Sequence, residues 1–274
     1  MRLGAHLGTR GGLRSAADEA RTVGAEVVQL FLSNPRSWAG PRIETAERFG
    51  TAWREGGVGP FYAHSPYLVN IASPNPEFLL NSVELARATV EACEQVGAGG
   101  VVLHAGSGGT TEAREALARA AASLQAVLAA ARETSVVVEL TAGTTGSVAA
   151  TFPEAARLFE AVGDERLLLC ADTCHLFAAG YPINDGEGVD ACFADLHASG
   201  LADRLVLIHA NDAKFHRGSK RDRHEHIGEG FIGVEGFIPF LHRPEVADLA
   251  IVAETPGDLA DHARNIATIR RLAA

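Results

Sequence analysis

Nine side chains of metal-ligand type are spread through the sequence: His64, His104, Glu139, Asp172, His175, His209, Asp222, His224 and Glu254. Five are imidazoles and four are carboxylates, with no thiolate among them. That mixture suits zinc or manganese better than magnesium or calcium, which prefer shells of oxygen alone. One zinc takes about four protein or water ligands, so nine suit two or three ions with a carboxylate shared between them. Divalent ions clustered about 3.5–4 Å apart serve in-line displacement at phosphorus, where they activate water and shield the anion. Two segments concentrate the signal. In Cys170-Ala-Asp-Thr-Cys-His175, Asp172 and His175 stand three apart. In Asp222-Arg-His224, alternate residues of an extended segment share one side.

Residues so far apart need a scaffold that gathers them. Eight short apolar runs read as strands: Leu3–His6, Val27–Phe31, Pro60–His64, Val101–His104, Val136–Glu139, Leu167–Asp172, Leu205–His209 and Leu249–Glu254. They lack internal charge, as strands buried on both faces should. Helical stretches rich in Ala, Glu and Arg lie between them, among them Arg14–Val23, Glu77–Val96, Glu112–Glu133 and Asp258–Leu272. This alternation predicts an α/β chain folded as a (β/α)8 barrel, a single domain over residues 1–274. A doubly wound open sheet is the competing topology. His6, His64, His104, Glu139, Asp172, His209 and Glu254 each fall at the C-terminal end of a run. In a barrel those ends open on one face, which carries the chemistry and the substrate-binding loops.

Composition narrows the classes. The chain has 274 residues, 47% hydrophobic and 21% charged, with a formal net charge of −10. These values fit a globular protein and argue against disorder or coiled coil. No apolar run approaches the ~18 residues of a membrane span, and the N-terminus has no signal-peptide core. The four cysteines form no CxxC pair and read as reduced thiols, which predicts a cytoplasmic protein with no membrane partner. An acidic chain argues against nucleic acid as a partner unless its charge is uneven. Here it is uneven. The chain has two lysines, Lys214 and Lys220, and both lie in segment 214–223 with Arg217, Arg221 and Arg223. Lys214, Lys220, Arg221 and Arg223 are candidate phosphate contacts. Three divalent ions would also outweigh the four ligand carboxylates and make the mouth positive.

The residues resemble the endonuclease IV family, zinc-dependent apurinic/apyrimidinic endonucleases built on a TIM barrel. The resemblance spans the chain. It is carried by Gly4-Ala-His6, Asn34-Pro-Arg-Ser-Trp38, His64-Ser-Pro-Tyr-Leu-Val-Asn70, His104-Ala-Gly106, Glu139-Leu-Thr-Ala-Gly143, Asp172-Thr-Cys-His175, Gly218-Ser-Lys-Arg-Asp-Arg-His224, Ile227-Gly-Glu-Gly230 and Glu254-Thr-Pro256. It implies three Zn2+ ions per chain. His64, His104 and Glu139 would serve the first; Glu139, Asp172, His209 and Glu254 the second; His175, Asp222 and His224 the third. Glu139 and Glu254 would be the catalytic carboxylates. The implied activity is DNA repair: hydrolysis of duplex DNA 5′ to an abasic site, leaving a 3′-hydroxyl and a 5′-deoxyribose phosphate, with 3′-phosphodiesterase trimming. The implied partner is double-stranded DNA bearing abasic sites, met by a monomer. Arg36, Tyr67 and Leu68 match the side chains the family inserts into DNA, and a planar ring and a guanidinium suit a gap in the base stack.

The chain departs from the family pattern at Leu140, where Asn is expected beside the bridging carboxylate, in Thr144-Thr-Gly-Ser147, and at Ser37 beside Arg36. The main rival is a sugar isomerase or epimerase on the same barrel. Its single divalent ion could be held by Glu139, Asp172, His209 and Glu254, but His64, His104, His175, Asp222 and His224 have no role there. Gly228-Glu-Gly-Phe-Ile-Gly233 matches a dinucleotide fingerprint in spacing but follows a polar loop rather than a strand, so no nucleotide cofactor is expected. His6 is expected behind the ligands rather than among them. Trp38 and Trp53 are expected to pack, and His197, His242 and His262 to lie on helix surfaces or caps.

Overall fold

The computed structural model describes residues 1–9, 13–42, 48, 51, 53, 55 and 59–274. Eight strands close into a barrel: β1 (Arg2–His6), β2 (Val27–Leu30), β3 (Phe61–His64), β4 (Gly100–His104), β5 (Ser135–Glu139), β6 (Leu167–Asp172), β7 (Leu205–His209) and β10 (Ala250–Ala253). Every neighbouring pair is parallel. Helices α1 (Leu13–Thr22), α2 (Pro76–Val96), α3 (Ala113–Leu128), α4 (Phe152–Val162), α5 (Thr173–Ala179), α6 (Gly186–Ala198), α7 (Gly233–Leu241) and α8 (Leu259–Leu272) follow the strands. A two-stranded antiparallel ribbon, β8 (Asp212–Ala213) with β9 (His224–Glu225), stands after β7.

The expected strands are present to within a residue or two at their ends. The long Ala-rich helix stops at Leu128, with a turn where helix was expected to continue to Glu133. Glycine closes the barrel where strands crowd. A Cβ at Gly4 would fall 1.6 Å from the Val27 carbonyl oxygen, so β1 and β2 meet only because that side chain is missing.

Two apolar layers divide the core. One lies between strands and helices and includes Leu3, Val28, Val101, Val136, Leu169, Ile208 and Ile251. The other fills the barrel: Val27, Val102, Val137, Cys170, Leu207, Ala250 and Val252, with Tyr62 against them. Side chains alternate along a strand with a period of two. Two residues on from Val27, Tyr62, Val102, Val137, Cys170, Leu207 and Val252 therefore lie Gln29, His64, His104, Glu139, Asp172, His209 and Glu254. The polar groups form a floor laid directly on an apolar plug. No described helix is long and apolar enough to cross a membrane.

Candidate metal centre

The nine expected ligands come together at this floor. Among the described residues they fall into three groups whose ligand atoms lie within 4.8 Å of one another: His64–His104–Glu139 and Glu139–Asp172–His209–Glu254, which share Glu139, and His175–Asp222–His224. Glu139 is fully buried and faces two of them. Its Oε2 lies 3.2 Å from His64 Nε2 and 3.3 Å from His104 Nε2, while its Oε1 lies 3.2 Å from His209 Nδ1. His209 Nδ1 is also 3.3 Å from Glu254 Oε2. Asp222 Oδ1 sits 3.3 Å from His175 Nε2 and 3.2 Å from His224 Nε2.

Local structure aims these groups. Asp172 ends β6 and caps α5, its Oδ1 accepting from the His175 backbone N–H at 2.9 Å. That cap places Asp172 and His175 at one strand–helix junction. The loop bearing Asp222 is pinned to the end of α5: Gly218 N–H donates to the Phe177 carbonyl and Lys220 N–H to the Ala178 carbonyl, each at 3.0 Å. Lys220 takes a left-handed φ of 57° there. The ribbon then turns His224 inward.

Four of the five imidazoles are held by their other nitrogen. His64 Nδ1 donates to the Ser65 carbonyl at 2.7 Å, His175 Nδ1 to the Leu140 carbonyl at 2.9 Å, and His224 Nδ1 to the Glu254 carbonyl at 3.1 Å. His209 Nε2 donates to Gln29 Oε1 at 2.9 Å. Among the described residues, the inward atoms Glu139 Oε1, His175 Nε2, His209 Nδ1 and His224 Nε2 are buried without a hydrogen-bond partner. Buried polar atoms are nearly always satisfied, so a convergent set of orphans calls for a missing partner. A carbonyl behind and a bare lone pair in front is how a protein presents imidazole to a cation. The donor set of nitrogens and carboxylates fits zinc-like ions.

The electrostatics agree. Burial opposes charge on His224, yet Asp172, Asp222 and Glu254 push its imidazole up to about 9. Burial likewise opposes charge on His175, and the carboxylates of Asp172, Asp222 and Glu139 drive it well above the ordinary range. Burial alone would raise Glu139, but His209 and His104 hold it well below the usual carboxylate range. Such mutual charging is what ligands do for each other when no ion separates them.

A cavity of about 620 Å³ opens over the floor, lined by His64, His104, His175, Asp222, His224 and Glu254 and walled by Leu7, Phe31, Tyr67 and Pro256. Phe31 is expected at the end of β2 but leaves the strand and stacks edge-on beneath Tyr67, with ring centroids 5.0 Å apart. Tyr67 is 64% exposed at the rim, so it is no core aromatic. Leu68 beside it is half-buried and Arg36 is exposed. Lys214, Lys220, Arg221 and Arg223 are all exposed. Arg221 stacks over the Phe215 ring at 3.6 Å, Lys214 lies 3.7 Å from Glu225, and Arg223 lines the cavity. Both tryptophans pack as expected: Trp53 is buried, and Trp38, half-exposed, meets Phe78 edge-to-face at 4.8 Å.

Three features lay outside the ligand pattern. Gln29, in the apolar strand Val-Val-Gln-Leu, is fully buried against His209 and Glu254. Asn211 donates to Asp172 Oδ2 at 2.6 Å and accepts from the Glu254 backbone N–H at 2.7 Å. A lone buried amide in an apolar strand was the available signal for the first. Cys174 adjoins Asp172 and His224 within ligand distance. Burial pushes its thiol up to about 12, so it stays protonated and bonds the Arg223 carbonyl at 3.6 Å. His6 stands behind the ligands as expected, 3.1 Å from Glu254 Oε1. The glycine-rich segment after residue 227 wraps a protein carboxylate: Asp212 accepts from the N–H groups of Gly228, Gly230 and Ile232 at 2.9–3.0 Å. A Cβ at Gly230 would fall 2.5 Å from Asp212 Oδ1, which explains the glycine without a nucleotide.

Known proteins resemble this chain over its length. A family model described as a xylose isomerase-like TIM barrel matches residues 17–272. A protein of Chloroflexus aurantiacus named probable endonuclease 4 is 37% identical, covering 99% of this chain and 98% of its own. A protein of the same name from Persephonella marina is 36% identical, covering 99% and 97%. The crystal structure of endonuclease IV from Thermus thermophilus superposes with a TM-score of 0.84 at 32% identity, covering 99% of this chain and 98% of that one. A D-tagatose 3-epimerase-like protein shares the fold alone, with a TM-score of 0.78 at 18% identity.

Proposed function

This chain belongs to the endonuclease IV family, and on that premise we propose that it is a zinc-dependent DNA repair endonuclease. It hydrolyses the phosphodiester 5′ to abasic sites in duplex DNA, giving a 3′-hydroxyl and a 5′-deoxyribose phosphate, and trims blocked 3′ ends. The observation that carries the reading is the set of orphaned inward atoms on Glu139, His175, His209 and His224, each imidazole pinned from behind. His64, His104 and Glu139 hold one ion; Glu139, Asp172, His209 and Glu254 a second; His175, Asp222 and His224 a third. Bound there, the ions supply water activation and charge shielding at phosphorus.

The residues around the floor do the rest. Glu139 and Glu254 fix the geometry at which the phosphate is met. The rim residues select the lesion. Tyr67, exposed and braced by Phe31, would fill the gap in the stack, with Arg36 and Leu68 beside it. An abasic nucleotide has no base to unpair, so drawing it into the cavity costs less than the few kcal/mol of an intact one. Lys214, Lys220, Arg221 and Arg223 bind flanking phosphates. A one-ion epimerase would use four of the nine ligands and leave the orphaned nitrogens of His175 and His224 without purpose. The protein acts as a cytoplasmic monomer in this reading.

The test pairs elemental analysis with a duplex carrying one tetrahydrofuran abasic analogue. About three zinc ions per chain and a single nick 5′ to the analogue are expected. One ion per chain with turnover of a ketose and no nick would reject the reading.

A further inference from the structure

A single buried amide governs how two of the ligands face the centre. Gln29 is fully buried on β2, where its neighbours are Val27, Val28 and Leu30. Its Oε1 can only accept, so the 2.9 Å contact from His209 Nε2 places a proton on that nitrogen. Nδ1 is left as the His209 atom that can bind a cation, and it is the atom facing Glu139 Oε1 and Glu254 Oε2 at 3.2 and 3.3 Å. The amide's Nε2 donates to Glu254 Oε1 at 2.5 Å, which leaves Oε2 for the cluster. The same Nε2 lies 3.0 Å from His6 Nδ1, which itself stands 3.1 Å from Glu254 Oε1. The opposite amide orientation is excluded, because it would set two oxygen acceptors 2.5 Å apart at Glu254.

We propose that Gln29 is a positioning residue that sets the His209 ring and the Glu254 carboxylate so that both present lone pairs to the same cation. The proposal rests on the metal-centre reading and adds to it a residue that is not itself a ligand. Shape alone does not explain Gln29. Its strand neighbours are aliphatic, and a buried amide is costly unless bonded. Both of its side-chain polar atoms are engaged, and both partners belong to the floor: His209 and Glu254. Removing groups that orient metal ligands typically weakens metal binding or activity about 10- to 100-fold.

The test uses the full-length protein with Gln29→Leu and Gln29→Met, two apolar replacements of similar volume, so that one misfolded variant does not end the experiment. Zinc content and stepwise affinity are measured by chelator competition, and the cobalt(II)-loaded protein is followed by its visible spectrum. The expected result is that one ion per chain weakens about 10- to 100-fold, with a changed cobalt band for that ion and the others unaltered. Affinities and spectra matching wild type would overturn the proposal. So would equal weakening of every ion together with a lowered Tm, which would mark Gln29 as packing. A wild-type protein that binds no divalent ion would overturn the metal-centre reading and this proposal with it, whereas normal wild-type loading with unaltered variants overturns the proposal alone.

Discussion

Stripping the protein of metal and reloading it at controlled pH should expose a proton cost written into His224. Its imidazole is pushed up to about 9 by Asp172, Asp222 and Glu254 when only protein surrounds it. A cation can bind Nε2 only after that proton leaves. Two pH units at 1.36 kcal/mol each make the cost about 2.7 kcal/mol at pH 7, or about 100-fold in apparent affinity. His175, grouped with His224 and Asp222, is also held well above the ordinary range, so the affinity of the ion these residues would hold should rise at least about tenfold per pH unit from 7 towards 9. Competition against a chromophoric chelator measures the affinity. Calorimetry in two buffers of different protonation enthalpy counts the protons released. A flat affinity over that range, with no proton released, would refute the argument. The same groups shape the stability of the metal-free protein. His224 lies above its unfolded value of about 6.5, so its contribution is fully present below that pH and is lost as pH rises through about 9. Glu139 is held below its unfolded value, so its contribution is present at neutral pH and lost in acid. The Tm of the metal-free protein should thus fall between pH 6.5 and 9, while the loaded protein resists that fall.

Three substitutions probe the rest of the site. His104→Ala should cut cleavage by more than the about 100-fold typical of changes behind the ligands. Because His104 ends β4 with its side chain one-third exposed, the fold should lose less than about 1 kcal/mol, or about 2–4 °C in Tm; a larger shift would mark it as structural. Tyr67→Ala should remove about 1–3 kcal/mol of stacking, seen as weaker binding to an abasic duplex with little change on intact duplex, and unchanged discrimination would contradict that role. Replacing Lys220 and Arg221 together by Ala should lower the slope of log affinity against log salt by about 0.9 for each phosphate no longer neutralised; a slope equal to wild type would place the loop away from the DNA.

Much of the barrel and six of the nine candidate ligands were legible because the two share one periodicity, while His175, Asp222 and His224 showed through the short local spacings Asp172-x-x-His175 and Asp222-x-His224. Val137 and Glu139, or Leu207 and His209, are two steps apart on strands that read as apolar runs, and a polar residue ending such a run stands out. What escaped depends on contacts remote in sequence. Gln29 meets His209 across 180 positions and Asn211 meets Asp172 across 39, and neither spacing is periodic. The Asp212 clamp hid behind a glycine pattern shared with dinucleotide loops, since both use glycine to bring backbone N–H groups around an anion. Phe31 leaves its strand because the rim needs a ring beneath Tyr67, a tertiary demand that overrides local apolar pattern.

The hydrocarbon stopper of Val27, Val102, Val137, Cys170, Leu207 and Val252 closes the cylinder from below. On the proposed reading, cations and substrate would then share one doorway. If that reading holds, a duplex seated across the rim should slow the escape of ions to a chelator, and a chelation rate unchanged by damaged DNA would count against it.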